Sequence, residues 1–462
     1  MGSDPLPSTL TSTKPTPIPT HELDDEHERD DSALLSFNTD SSSSATTSKS
    51  LSNSNNKPLL ISLILITCIS LSLASAFAYL FFSSRSTTPA SSSSTTATSA
   101  TASSPSPAPA PSPSESHARP LTKLNRPKVL LISSDGFRFG YQFKTPTPNI
   151  ARLIANGTEA ETGLIPVFPS LTFPNHYSIA TGLYPAHHGI INNHFLDPHS
   201  GDSFYMGNID PKWWLGEPLW ETVVNNGLNA ATYFWPGTQG HKVGADDPQI
   251  TEAVSRIDRM IGRLISGLEQ RGVFDDVTII MVGDHGMVTT CDKKLIFLDD
   301  LAPWIDIPEN WVISHTPLLA ITPPSGYSPS DVVAKMNQGL SSGKVENGKH
   351  LKVYLKEDLP SRLHYSGSDR IPPVIGLLGE GFKVRQKRSK NKECGGSHGY
   401  DNEFFSMRSI FIGHGPQFAR GRKIPSFENV QIYNLVTRIL NIKGAPNNGS
   451  ASFPEDVLLS AA

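Results

Sequence analysis

From about residue 126 onward, short runs of uninterrupted apolar residues alternate with stretches in which apolar positions return every three or four residues. Lys128–Ser133 and Val277–Val282 carry β-branched and aliphatic residues with no polar alternation, the pattern of strands buried on both faces. Ala230–Trp235 reads as a further strand. Ile250–Gln270 is the clearest amphipathic helix, with Val254, Ile257, Ile261, Leu264 and Leu268 along one face. Asn149–Ala155, Pro174–Thr181, Leu219–Asn225, Asp331–Leu340 and Val430–Leu440 predict shorter helices. The alternation implies an α/β domain with a mainly parallel sheet and helices on both faces, in which ligands gather at the carboxyl ends of the strands.

The start of the chain has another character. Residues 1–57 are acidic and rich in Ser and Thr, with too few large apolar groups to offset the entropy of ordering. Leu59–Phe82 contains no charge and is long enough for the roughly 20 helical residues that cross a bilayer. We expect a single transmembrane helix over 58–82, a Ser/Thr/Pro-rich stalk over 83–125, the folded domain over 126–445 and a tail over 446–462. Lys49 and Lys57 precede the span and Arg85 follows it, which favours a cytosolic amino terminus, a type II topology and a domain facing the outside or a secretory lumen. Asn156-Gly-Thr and Asn448-Gly-Ser are glycosylation sequons in keeping with that side.

Lys and Arg number 39 against 43 Asp and Glu, a formal charge of -4, which argues against a nucleic-acid-binding domain. Three cysteines exclude a four-thiolate zinc site. Cys68 lies in the apolar run, leaving Cys291 and Cys394 as partners for a bridge that the sequence leaves undecided.

The candidate chemistry sits where the strands end. The first strand runs into Asp135-Gly136 and the Val277–Val282 strand into Gly283-Asp284-His285-Gly286. Two strands thus deliver an Asp and an Asp-His pair to one sheet edge, and carboxylate with imidazole is a good donor set for zinc and similar ions. His241 and His398 lie in comparable Gly-rich turns, whereas His187, His188, His194 and His199 have no such setting and read as structural. Thr172 stands at the start of a short helix. It is either a plain N-cap or a metal-activated nucleophile at a site that favours anions.

Taken in order, SSDGFR, FPSLTFPNHYSIATGLYPAHHGIINNHF, GEPLW, FWPG, GHKVG, GDHGM and GSHGYDN resemble the nucleotide pyrophosphatase/phosphodiesterases of the alkaline phosphatase superfamily, over roughly residues 126–445. The anchored topology is similar to that of the family's type II membrane members, plant representatives among them. The resemblance implies an alkaline-phosphatase-like fold and two divalent metal ions, typically Zn2+. Asp135, Asp284 and His285 would hold one and His241 and His398 the other, with Thr172 bridging as nucleophile. It implies that Asn193 binds a phosphoryl oxygen together with the Thr172 backbone N–H, and that Phe173 stacks on the base. Its substrates would be nucleotides such as nucleoside triphosphates, dinucleotides or nucleotide sugars. The reaction would pass through a nucleotidyl-threonine.

One stretch departs from the pattern. Phe234-Trp235-Pro236-Gly237 runs directly into Thr238-Gln239-Gly240-His241. The family's intervening helix and strand have no counterpart, and Gly237 stands where a metal-binding Asp is expected. The second ion would keep only His241 and His398, with Asp246 or Asp247 as substitutes at hand. An internal segment missing near 236–238, as in a splice variant or incomplete gene model, is the expectation; sliding of Tyr233–His241 into the place of the lost strand is the other arrangement. Two further functional readings follow: a catalytically impaired or non-catalytic ectodomain, and a phosphomonoesterase or lipid-headgroup phosphodiesterase. The basic run Lys383, Arg385, Lys387, Arg388, Lys390 and Lys392 reads as a solvated loop or a steering patch for anions.

Overall fold

The β-branched runs lie at the heart of the domain in the computed structural model, which describes residues 115–233, 244–389 and 394–461. In chain order, the elements that frame the site are β1 (Lys128–Ser133), α1 (Pro148–Ala155), β2 (Gly157–Ala160), α2 (Thr172–Thr181), α3 (Leu219–Asn225), α4 (Pro248–Gln270), β3 (Val277–Val282), β4 (Val288–Thr290), α5 (Pro329–Ser341), β5 (Gly395–Ser397), β6 (Phe411–His414), β7 (Arg422–Ile424) and α6 (Gln431–Leu440).

The main sheet has the order β1-β3-β6-β2-β7 among the described residues. β1 runs parallel to β3, and β7 parallel to β2. β6 is antiparallel to both β3 and β2. The sheet is therefore mixed, which corrects the mainly parallel expectation. The cause lies just before β6, where Ser406–Ile410 hydrogen-bonds back along the chain leaving β3, with Gly283 N–H donating to Ile410 O and Gly286 N–H to Met407 O. The chain thus enters β6 from the end where β3 exits and runs the opposite way.

Helices cover both faces, as the strand pattern requires. Along β3, Ile279 and Met281 pack with Ile150, Leu153, Val254 and Ile261 of α1 and α4, while Ile280 and Val282 pack with Ile432, Leu435 and Ile439 of α6. In α4 the buried face is centred on Val254, Asp258, Ile261 and Ile265. The buried Asp258 carboxylate accepts the N–H groups of Asn149 and Ile150 at 3.0 and 2.9 Å, satisfying two open donors at the start of α1. A second, antiparallel sheet (Leu351–Leu355, Val374–Leu378, Leu319–Ile321, Val312–Ser314) packs under α5 with its own core.

Among the described residues β1 pairs only with β3, and Val129–Ser133 is half-buried where β3 is almost wholly buried. Residues 230–233 form no strand, and Phe234 and Trp235 lie outside the described residues, as does Leu59–Phe82. No described helix is long and apolar enough to cross a membrane.

The folded domain reaches further in both directions than its sequence pattern suggests. Residues 446–461 do not trail away as a tail: Val457 and Leu458 are buried in the α6 core. At the other end, part of the expected stalk is clasped to the domain by Asp276. Its buried carboxylate accepts the backbone N–H groups of Thr122, Lys123 and Leu124 at 2.9, 2.6 and 2.8 Å, and the Thr122 hydroxyl at 2.9 Å. Burial alone would push this carboxyl up, but the donated hydrogen bonds outweigh it and bring the pKa to about 2. A lowered carboxyl contributes stability above its ordinary pKa, and that stability is lost as pH falls from about 4 through about 2. Asp276→Asn is expected to cost about 2 kcal/mol at neutral pH. In urea titrations the gap between variant and parent should close as pH falls toward 2; an unchanged gap would rule the clasp out.

Candidate active site

The register between β1 and β3 sets the first two groups. Ser133 is opposite Val282, so Asp135 and Asp284, each two residues further on, leave the sheet side by side. Gly136 N–H donates to Asp284 Oδ1 at 2.9 Å. Gly136 adopts a φ of 64°, a conformation that disfavours a side chain, which lets the chain turn immediately after Asp135.

His285 follows Asp284 and is fully buried. Its Nδ1 lies 2.8 Å from the carbonyl oxygen of Gly286, which can only accept, so Nδ1 carries the proton. The Nε2 lone pair then faces Asp284 Oδ2 at 3.1 Å, Asp135 Oδ1 at 3.6 Å and Thr172 Oγ1 at 3.1 Å. Gly286 is fixed by space: a Cβ there would lie 2.0 Å from Ser406 O, in the segment that leads to β6.

Every residue of α2 is buried, polar ones included. Leu171 occupies the N-cap and Gly182 ends the helix at a φ of 69°. Thr172 is thus the first helical residue, and its hydroxyl is directed at His285 rather than capping the helix, since no side chain caps α2 at its N-cap position. Asn193 Oδ1 accepts the Phe173 N–H at 3.1 Å, which puts Asn193 at the same helix start. The Phe173 ring is only 8% exposed and sits against Phe204 and Trp214. Asn175 secures the loop before Thr172, accepting the Val167 N–H at 2.8 Å and donating to Leu171 O at 2.8 Å.

His398 reaches the site through the β4–β5 pair. Ser397 is opposite Val288, which carries the next residue to His285, and the two imidazoles stack at 3.6 Å between centroids. His398 Nδ1 is held at 3.0 Å from Ser170 O. At the other end of the same ladder, Cys291 and Cys394 meet as free thiols with sulfurs 3.4 Å apart. His241 and Gly237 lie outside the described residues. Neither proposed substitute for the missing Asp joins the group: Asp246 pairs with Lys144 at 2.9 Å, and Asp247 caps α4 through the Gln249 N–H at 2.8 Å. The basic run is not simply a loop, because Lys383–Arg385 forms a strand against Leu295–Phe297 and Arg388 pairs with Asp300 and Glu346. Lys390 and Lys392 lie outside the described residues. Asn448 is exposed and Asn156 half-buried, the latter donating its Nδ2 hydrogen to Arg152 O at 3.0 Å.

The donor set of Asp135, Asp284 and His285 fits a divalent cation. One ligand atom from each lies within 4.8 Å of the others. Asp284 Oδ2 is buried and accepts no aligned hydrogen bond. An imidazole lone pair facing two carboxylates is favourable only with a proton or a cation between them. Burial and the neighbouring Asp284 carboxylate push Asp135 up to about 8, against the pull of His285 and His176. Burial would also raise Asp284, but His285 and His176 hold it well below the usual carboxylate range. Burial would lower His285, yet the two carboxylates raise it. Protons thus take the place that a cation would fill. The sequence reading passed over His176, which contacts Asp284 from α2; the signal was its i+4 spacing from Thr172.

Comparison with known proteins agrees with this geometry. The sequence profile of "Type I phosphodiesterase / nucleotide pyrophosphatase" matches residues 129–239 and 237–401, breaking where the internal segment is expected to be missing. A venom phosphodiesterase of Macrovipera lebetinus is 34% identical over 381 residues, covering 70% of this chain and 44% of that protein. The chain therefore spans less than half the length of that relative. An uncharacterized pyrophosphatase/phosphodiesterase of Schizosaccharomyces pombe is 32% identical over 394 residues, covering 71% of this chain and 80% of that protein. Among solved structures, murine ectonucleotide pyrophosphatase/phosphodiesterase 5, described as an inactive threonine-to-alanine variant in complex with AMP, superposes with a TM-score of 0.62 at 29% identity, covering 72% of this chain and 100% of that one.

Proposed function

Because the chain belongs to the type I phosphodiesterase / nucleotide pyrophosphatase family, we propose that it hydrolyses phosphodiester and pyrophosphate bonds of nucleotides, with Thr172 as nucleophile beside a zinc ion held by Asp135, Asp284 and His285. The observation that carries the reading is Thr172 Oγ1 at 3.1 Å from His285 Nε2, at the start of a helix with no side-chain cap. When bound, the cation supplies positive charge that lowers the hydroxyl pKa and neutralises phosphoryl oxygens.

The chain's own groups do the rest. The start of α2 presents backbone N–H groups and the positive end of its dipole to a phosphoryl oxygen, with Asn193 beside them. Thr172 Oγ1 forms a bond to the α-phosphorus as the bond to the leaving group breaks, and water then releases the nucleotide. His398, stacked on His285, belongs with His241 to the second cation in this reading. Nucleoside triphosphates, dinucleotides and nucleotide sugars are the substrate class, and the AMP held by the murine relative supports it. Residues 59–82 serve as a membrane anchor, with the domain on the glycosylated side.

Hydrolysis of p-nitrophenyl thymidine monophosphate, lost with EDTA and restored by zinc, tests the reading. Activity on p-nitrophenyl phosphate should be far weaker. Equal rates on the two would transfer the chain to the monoesterases, and preference for a phospholipid headgroup ester would transfer it to the lipid enzymes.

The broken profile match favours a second reading, a catalytically impaired ectodomain. The zinc-to-protein ratio separates them. Two ions per chain fit the intact enzyme, and one fits the loss of the ligand expected at Gly237.

A further inference from the structure

We propose that His176 is a positioning residue that fixes Asp284 as a metal ligand and ties it to the peptide of the nucleophile. The inference rests on the reading of Asp284 as a ligand. His176 is 3% exposed and lies one helical turn beyond Thr172. Its ring touches three separate parts of the site. Nε2 is 2.9 Å from Ser133 Oγ at the end of β1, Nδ1 is 2.9 Å from Thr172 O, and the same Nδ1 is 3.3 Å from Asp284 Oδ2. A carbonyl oxygen only accepts, so Nδ1 carries the hydrogen and Nε2 takes the hydrogen of the Ser133 hydroxyl. The Nδ1–H is directed to the Thr172 carbonyl, and Asp284 Oδ2 lies beside it in an ion-pair contact, not an aligned hydrogen bond.

Asp284 is thereby steadied at both oxygens, Oδ1 by the Gly136 N–H at 2.9 Å and Oδ2 by the imidazole. That leaves the side of Oδ2 facing His285 for a cation. Without the imidazole the carboxylate could turn about its terminal bond and take a bidentate or averted pose. Groups that orient a ligating carboxylate in this way typically contribute 10–100-fold in metal affinity. A histidine that only filled space would be replaceable by an apolar residue of similar size.

Zinc affinity of the full chain, measured by competition with a chromophoric chelator, tests this against His176→Leu, His176→Asn and Ser133→Ala. The zinc lost on Asp284→Asn defines the site. Circular dichroism and melting of the metal-free forms verify folding. His176→Leu is expected to weaken zinc about 10–100-fold in a chain that still folds without metal. His176→Asn, which keeps an N–H near the Nδ1 position, should recover most of that loss, and Ser133→Ala should fall between. A folded Leu variant that binds zinc like the parent overturns the proposal, as does an Asn variant no better than Leu. Should the Leu variant fail to fold, Ser133→Ala decides: parental affinity there overturns the proposal too. A parent chain that binds no zinc at Asp284 takes down the proposed function itself, and this inference with it.

Discussion

Thr172→Ala is expected to lower turnover of p-nitrophenyl thymidine monophosphate by about a thousand-fold or more, with little change in stability. Thr172 is 1% exposed, and its hydroxyl faces His285 and makes no capping bond whose loss would unravel α2. The variant loses one methyl and one hydroxyl from a buried position, a cost of about 1 kcal/mol. Thr172→Ser keeps the oxygen and should retain measurable turnover. Steady-state kinetics on folded variants decide the matter. An alanine variant within about tenfold of the parent would mean that some other group attacks phosphorus.

Asp284→Asn should remove zinc from the site and with it the stabilisation that zinc confers. Asp284 is fully buried between His285 and His176, and the amide cannot supply the negative charge that a divalent ion requires there. The parent's melting temperature is expected to rise on adding zinc and fall with EDTA, whereas the variant should respond to neither. The response depends on pH. Asp135 is raised from 3.8 to about 8 in the metal-free chain, and His176 and His285 are raised as well. Groups raised on folding stabilise at low pH, and that stability is lost as pH climbs through their folded values. The metal-free chain should therefore lose stability between about pH 4 and about pH 8, while the zinc-induced rise in melting temperature grows over the same window. A zinc response that is flat with pH, or that survives in Asp284→Asn, would remove Asp135 and Asp284 from the site.

Several of these groups are legible in the sequence. Unbroken apolar runs marked β1 and β3 because strands covered on both faces have no polar side. An Asp two residues past each run then followed from the topology of such sheets, and the parallel register makes the two carboxylates neighbours. What stayed hidden depends on contacts between distant segments. Strand direction has no sequence signature, so the antiparallel β6 could not be read from FIGH alone. His398 was marked by its Gly-rich turn and by the family resemblance, but not by what brings it to the site, which is the pairing of β4 with β5 that carries it onto His285. His176 sits in a helix buried all round, where amphipathic patterning vanishes and polar residues give no hint of which way they face. The ends of the domain were misjudged for a related reason. The hydrogen bonds that hold Thr122, Lys123 and Leu124 use backbone N–H groups, which every sequence supplies equally.

The helix that begins at Thr172 has no solvent face. Chemistry and scaffold therefore cannot be altered independently around it. A methylene added or removed at Ile179 or Tyr177 changes the shell in which the Thr172 oxygen is seated, so a screen for thermal tolerance that repacks this region also acts on the candidate site. Reporter groups, affinity handles and immobilisation points belong elsewhere, on the outward side of α4, where Arg256, Arg259 and Arg263 can be exchanged without disturbing the seat of Thr172.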